Sequence, residues 1–156
     1  MRTISSAIDI DAPPAEVWAV LTDLGSYHDW NPLFVEAHGT VAEGQRITLR
    51  SKHPANGRPM TAKPKITAAH SGAELRWAAG LPGIISGEHV FTLTPTASGT
   101  RVVQSESFTG PLSRFPGKTF ANAAASFQSL NEALKRRAEA RTHLPAGPAS
   151  ADDPTG

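Results

Sequence analysis

The sequence predicts an α+β domain in which a curved antiparallel sheet of about seven strands wraps around one long C-terminal helix, with two short helices after the first strand. Three observations lead there. From residue 33 to residue 109 the chain falls into segments of roughly five to twelve residues, rich in apolar and β-branched side chains and separated by Gly, Pro, Asn and Ser. After Pro116 the strand signal stops, and residues 118–141 are dense in Ala, Leu, Glu, Lys and Arg, the residues of a long helix. A length of 156 residues suits one ordinary domain with one sizeable core.

The first strand is expected over 3–10, where short and β-branched residues alternate. Asp11-Ala12-Pro13-Pro14-Ala15-Glu16 then reads as a helix start, with carboxylates near the positive end and prolines where a missing N–H costs little. Val17, Trp18, Val20, Leu21 and Leu24 form its apolar side. Gly25-Ser26 ends it, Tyr27 to Trp30 allow one more helical turn, and Asn31-Pro32 stops helix formation. Strands follow over 33–39, 45–52, 60–69, 74–79, 86–94 and 100–109 as an antiparallel meander. Pro64 marks an edge or a bulge in its strand, because proline cannot donate to a ladder.

The final helix carries an apolar stripe at Phe120, Ala124, Phe127, Leu130 or Asn131, and Leu134, with Gln128, Glu132, Lys135 and Arg136 opposite. The stripe is expected to face the sheet. The domain spans 2–141, and the Pro-, Gly- and Ala-rich tail 142–156 is expected to be disordered.

Several function classes are excluded by composition. A net charge of +1 provides no large field for nucleic acid, so no nucleic-acid partner is expected. The absence of cysteine removes disulfides, thiolate metal sites and a cysteine nucleophile. The six histidines lie scattered, without the close spacing of a zinc helix, and no phosphate loop or nucleophile elbow occurs, so neither a metal nor another cofactor is expected. No stretch is apolar enough for stable membrane insertion and the N-terminus lacks a signal-peptide pattern, which predicts a cytoplasmic protein. Lys135, Arg136, Arg137 and Arg141 read as a solvated face with favourable charge at the negative end of the helix. The sequence assigns no oligomeric state.

The segments Ile8-Asp9-Ile10-Asp11-Ala12-Pro13-Pro14-Ala15-Glu16-Val17-Trp18 and Tyr27-His28-Asp29-Trp30-Asn31-Pro32 carry a family resemblance. They resemble the opening of the polyketide cyclase/dehydrase-like branch of the START/Bet v 1-like (SRPBCC) superfamily. Gly87-Glu88-His89-Val90-Phe91 and Thr100-Arg101-Val102-Val103-Gln104-Ser105-Glu106-Ser107-Phe108-Thr109-Gly110 resemble its last hairpin, and Asn131-Glu132-Ala133-Leu134-Lys135 its closing helix. The resemblance implies the helix-grip fold over about residues 2–141. It does not select an activity, because the superfamily includes lipid carriers, receptors, cyclases and chaperone activators.

The residues themselves outline a cavity. Ala121, Ala123, Ala124 and Ala125 are small and would either leave volume under the start of the final helix, with Phe120 and Phe127 as walls, or permit close packing of helix on sheet with the phenylalanines as core. Strand alternation places Val102, Gln104, Glu106 and Phe108 on one face, and His89, Phe91 and Leu93 on one face of the preceding strand. A two-residue turn at Ala97-Ser98 makes opposed residues sum to 195, so His89 faces Glu106, Phe91 faces Gln104 and Leu93 faces Val102. His89, Gln104 and Glu106 then cluster on an apolar wall, either satisfying one another or orienting a ligand, with His89 and Glu106 as candidate catalytic residues. Met60 and Trp77 are expected on the same wall or in plain core. Trp30 is expected to lock the corner into the next strand, and residues 80–87 to form a loop either gating the mouth or tucked onto the core.

Three functions fit: binding of a small hydrophobic molecule such as a lipid, polyketide or aromatic metabolite; a cyclase or dehydratase using His89 and Glu106; and a chaperone-activator-like interaction protein with a filled interior.

Overall fold

The computed structural model describes residues 1–52, 56–81, 83–111 and 118–144, with side chains in the last segment from residue 122 onward. Strand β1 (Arg2–Ile10) leads into helix α1 (Pro14–Thr22), a single 3₁₀ turn (Leu24–Ser26) and the one-turn helix α2 (Tyr27–Trp30). There follow β2 (Phe34–His38), β3 (Thr48–Lys52), β4 (Pro59–Ala62), β5 (Lys65–His70), β6 (Glu74–Leu81), β7 (Ile85–Pro95), β8 (Thr100–Thr109) and the long helix α3 (Lys118–His143). The helix runs two residues past the expected boundary at 141, and the rest of the expected disordered tail, 145–156, lies outside the described residues.

The α1 start works as its prolines imply. Pro13 precedes the helix and its carbonyl accepts the N–H groups of Glu16 and Val17, while Pro14 takes the first helical position. Val17, Val20 and Leu21 bury against α3 and the sheet. The Tyr27 hydroxyl, fully enclosed, donates to the Leu21 carbonyl at 2.5 Å, tying α2 back to α1. At the following corner Asn31 does the locking expected of Trp30. Its Oδ1 accepts the N–H groups of Leu33 and Phe34 at 3.0 and 2.8 Å, which aims those two side chains into the interior. Trp30 packs edge-on against Tyr27 instead.

All described strand pairings are antiparallel, in the orders β1-β8-β7-β6-β5 and β2-β3-β4. The expected strand over 60–69 divides in two at Pro64, which has no amide hydrogen to continue a ladder. Beyond the break the chain pairs with the segment before β3: the Pro64 carbonyl accepts from Ile47, and Ile66 donates to the Gln45 carbonyl at 2.8 Å. The two sheets are thus joined at one bridge, Arg46 with Lys65, and the surface bends there. The expected loop over 80–87 is also shorter than read. Strands β6 and β7 pair up to Leu81 with Ile85, leaving only a hairpin tip, with Ile84 donating to the Leu81 carbonyl.

On β7 and β8 the register is the one the turn predicts: Leu93 opposite Val102, Phe91 opposite Gln104, His89 opposite Glu106 and Gly87 opposite Phe108. Thr96 N–H donates to the Gly99 carbonyl, and Gly99 N–H to the Thr96 hydroxyl, closing the turn over Ala97 and Ser98. Helix α3 lies across β1 and α1. Leu130, Leu134 and Ala138 are fully buried, with Asn131 beside them, and Lys135 donates to both the Asp9 carbonyl and Glu139. That lysine, together with the Asp11 N–H, holds the Glu139 carboxyl below the usual carboxylate range.

Burial, and secondarily the charge of Asp23, pushes the Tyr27 hydroxyl well above its ordinary pKa of 10.0. Tyr27 is therefore neutral when folded and free to ionise when unfolded, so its contribution is fully present below about pH 10 and is lost as pH rises beyond it. Replacing Tyr27 by Phe removes the donor to Leu21 and is expected to cost about 1–2 kcal/mol at neutral pH in urea denaturation. The same variant is expected to lose less stability than the parent between about pH 9 and about pH 11; equal losses would count against this assignment.

Candidate ligand cavity

Along β7 and β8 the inward side chains change character. Leu93, Val102 and Phe91 belong to the packed core with Leu75, Leu130 and Leu134, whereas His89, Glu106, Gly87 and Phe108 border open space. Helix α3 changes at the same level, from Leu130 and Leu134 through Phe127 to Ser126 and Ala123. Small side chains on both faces leave a cavity of about 700 Å³, within the range of small-molecule sites. Its other walls are Leu33 and Phe34 from the α2–β2 corner, Leu49 and Ser51 of β3, Met60 and Ala62 of β4, Trp77 of β6 and Ile85 of β7. Lys52, Gly57, Met60 and Gly80 line it and are exposed, so its mouth opens between the β3–β4 hairpin and the tip of β6–β7.

His89 is the most enclosed ionisable group on the wall, 3 % exposed. Its ring stacks on Trp77 at 4.9 Å and 13°, meets the edge of Phe127 at 5.1 Å and lies 4.9 Å from Phe91, with Phe34 at 6.1 Å. Gln104 Nε2 donates to His89 Nε2 at 2.9 Å. The imidazole proton therefore sits on Nδ1, the edge turned toward Glu106 Oε2 at 3.7 Å. The expected cluster of three polar groups is present, but its short hydrogen bond runs from Gln104, not from Glu106. In an antiparallel pair the diagonal neighbour is within reach of a long side chain, and the amide can enter the dry interior where a carboxylate would lose its hydration. Glu106 stays nearer the opening, its side chain 25 % exposed.

Of the residues read from sequence as ligand contacts, Met60, Trp77, His89, Glu106, Phe108 and Phe127 line the cavity. Phe91 and Gln104 are buried behind it and hold His89. Ala124 is a correction: it is exposed, and Ala123 and Ser126 form the wall in its place. At about 100° per residue, Ala123 falls close to the line of Phe127 and Leu134, while Ala124 is rotated away on the side turned from the cavity. The Phe120 side chain lies outside the described residues. Leu33, Phe34, Leu49 and Ile85 are wall residues that the reading missed. Alternation through Ile47, Leu49 and Ser51 carried a signal for Leu49, but the bulge between Phe34 and Glu36 breaks the period on β2. Among the described residues no three His, Cys, Asp or Glu side chains converge as a metal site would require, and no helix is long and apolar enough to cross a membrane.

Comparison with known proteins places this geometry. None of the curated proteins matches the chain. Among solved structures, protein MLL2253 from Mesorhizobium loti superposes with a TM-score of 0.71 at 22% identity, covering 92% of this chain and 100% of the other. A START superfamily protein from Mycobacterium smegmatis gives 0.69 at 15% identity, covering 89% and 98%. DynU16, a protein in the dynemicin biosynthetic locus, gives 0.66 at 18% identity, covering 86% and 46%. At such identities these likenesses show the fold alone. The profile of the family described as polyketide cyclase / dehydrase and lipid transport matches residues 1–139, and with the match running from β1 well into α3, the chain belongs to that family.

Proposed function

We propose that the protein binds a small, largely apolar molecule, such as a lipid, a polyketide or an aromatic metabolite, inside the cavity. The observation that carries this reading is the coincidence of open volume with aromatic walls and one polar edge: Trp77, Phe108 and Phe127 offer apolar faces, and His89 with Glu106 offers a donor and an acceptor. An apolar body held against the rings would place a hydroxyl or carbonyl at that edge. A chaperone-activator-like role had called for a filled interior, and the open volume speaks against it.

Native mass spectrometry of the purified protein is expected to show a co-purifying small molecule that disappears on denaturation. Ala123→Phe would extend a ring into the open volume without removing any core side chain. It is expected to weaken retention of a bound fluorescent fatty acid or aromatic polyketide by about tenfold, equivalent to about 1.4 kcal/mol, while thermal melting stays within a few degrees of the parent. Undiminished retention would place the ligand elsewhere.

One observation favours a second reading. His89 Nδ1 and Glu106 Oε2, 3.7 Å apart on the cavity wall, are an acid and base pair of which the imidazole is buried and the carboxylate faces the open volume. Glu106 could take a proton from the carbon next to a ligand carbonyl while His89 Nδ1–H donates to the carbonyl oxygen, the first step of an aldol-type cyclisation or a dehydration. Under this reading His89→Ala retains bound polyketide but forms no cyclised or dehydrated product in a mass-spectrometric time course. Under the binding reading, parent and variant alike return the ligand unaltered.

A further inference from the structure

Charge is distributed unevenly along the chain. Between Glu43 and Glu74 there is no Asp or Glu, yet six of the fifteen Lys and Arg residues fall there, leaving nine against fourteen carboxylates elsewhere. The fold turns this stretch into β3, β4 and β5; β3 and β4 border the cavity, and Arg46 with Lys65 borders a second depression that adjoins it at Ala79, Gly80 and Ile85, the two together forming one rim. Arg50 is neutralised by Glu36 at 2.8 Å. Among the described residues no carboxylate lies within ion-pair distance of Arg46, Lys52, Arg58, Lys63 or Lys65. In the basic patch of α3, by contrast, three of the four cations meet a carboxylate: Lys135 meets Glu139, Arg137 lies 3.9 Å from Asp29, and Arg141 lies 3.7 Å from Glu16.

The same rim holds exposed apolar side chains. Leu81, Ile84 and Met60 are 61 %, 49 % and 45 % exposed. Leu81 and Ile84 share a surface depression with Arg46 and Lys65, and Met60 borders the cavity mouth with Lys52. Leaving three such side chains in water is unfavourable unless a partner covers them. We propose that this rim is a docking face for an anionic lipid bilayer. Leu81, Ile84 and Met60 enter the boundary between headgroups and acyl chains, and the five unpaired cations lie against lipid phosphates. Single-stranded RNA would satisfy the charge but would be gripped by aromatic stacking, and the three exposed apolar groups are two aliphatic chains and a thioether. Docking in this pose turns the cavity mouth toward the acyl layer, so a ligand need not cross water to enter. That consequence rests on the ligand-binding reading; the docking does not.

The test is co-sedimentation of the full chain with vesicles of phosphatidylcholine alone and of phosphatidylcholine mixed with phosphatidylglycerol. Binding is expected only to the mixed vesicles and is expected to weaken as salt rises. Removing one cation from an anionic surface weakens binding about fivefold, so Lys63→Glu with Lys65→Glu is expected to lose at least about twentyfold. Leu81→Asp with Ile84→Asp is expected to abolish binding, and Arg136→Glu, on the exposed side of α3, to leave it unchanged. Circular dichroism checks each fold, and Arg58→Glu at the hairpin tip supplies an independent reversal with a loss of about fivefold or more. No sedimentation, equal binding to neutral vesicles, variants that bind as the parent does, or retention of single-stranded RNA in place of vesicles would each overturn the proposal. Ala123→Phe is expected to leave vesicle binding intact, so the cavity reading and the docking face fail separately.

Discussion

The register between β7 and β8 is the constraint on which the rest depends. Strand side chains alternate, so a slip of β8 by one residue against β7 would turn Gln104 and Glu106 away from the interior and leave His89 without either. The slip is blocked at both ends of the turn. Thr96 and Gly99 close it by hydrogen bonds, and Gly99 sits so close to the Ile10 carbonyl and Ala12 that any side chain there would collide with backbone. Next to it the Thr100 hydroxyl donates to the Ala12 carbonyl at 2.7 Å, in full burial. The junction of β1 with α1 therefore holds the turn, and the turn holds the site.

From that register the interior divides by side-chain size. Large aliphatic groups meet at the α1 end, where Leu75, Leu93, Val102 and Leu134 close the core. At the other end Gly87, Ala123 and Ser126 withdraw, and the space they leave is the cavity. Phe127 stands at the transition, touching the His89 ring from one side of the boundary. Because close-packed interiors tolerate few voids, the stability of the domain rests on the filled half and leaves the open half available for a ligand. The division of labour also explains why the polar cluster is tolerated: His89 is covered by four aromatic rings and its buried nitrogen is satisfied by Gln104.

Much of this is legible in the amino-acid sequence. The long helix followed from propensity, the corner from Asn31-Pro32, and the opposition of His89 and Glu106 from a turn length and a period of two. What failed had physical causes. Pro64 predicted a local fault, but the new partner that the freed chain finds, the segment around Gln45, is a long-range choice that local pattern does not encode. Ala124 and Ala123 are indistinguishable by residue type, and only the rotation of α3 over the sheet separates them. The contact from Gln104 to His89 runs diagonally, so a ladder of directly opposed residues does not show it. The run without carboxylates is plain in the letters, yet it acquires a location only when β3, β4 and the hairpin tip of β6–β7 come together around one opening.

Gln104 has a property that an ionised Asp or a Lys in its place would lack. Its Nε2 occupies His89, while its Oε1, buried, has no hydrogen-bond partner among the described residues. A primary amide is nearly symmetric in shape but opposite in polarity at its two ends. Half a turn about its last side-chain bond exchanges the donor for the acceptor in the same volume, so either tautomer of the neutral imidazole finds a complementary atom there. The ring can thus carry its proton on either nitrogen without a change in strands, rings or cavity walls, the reorganisation being confined to one rotor.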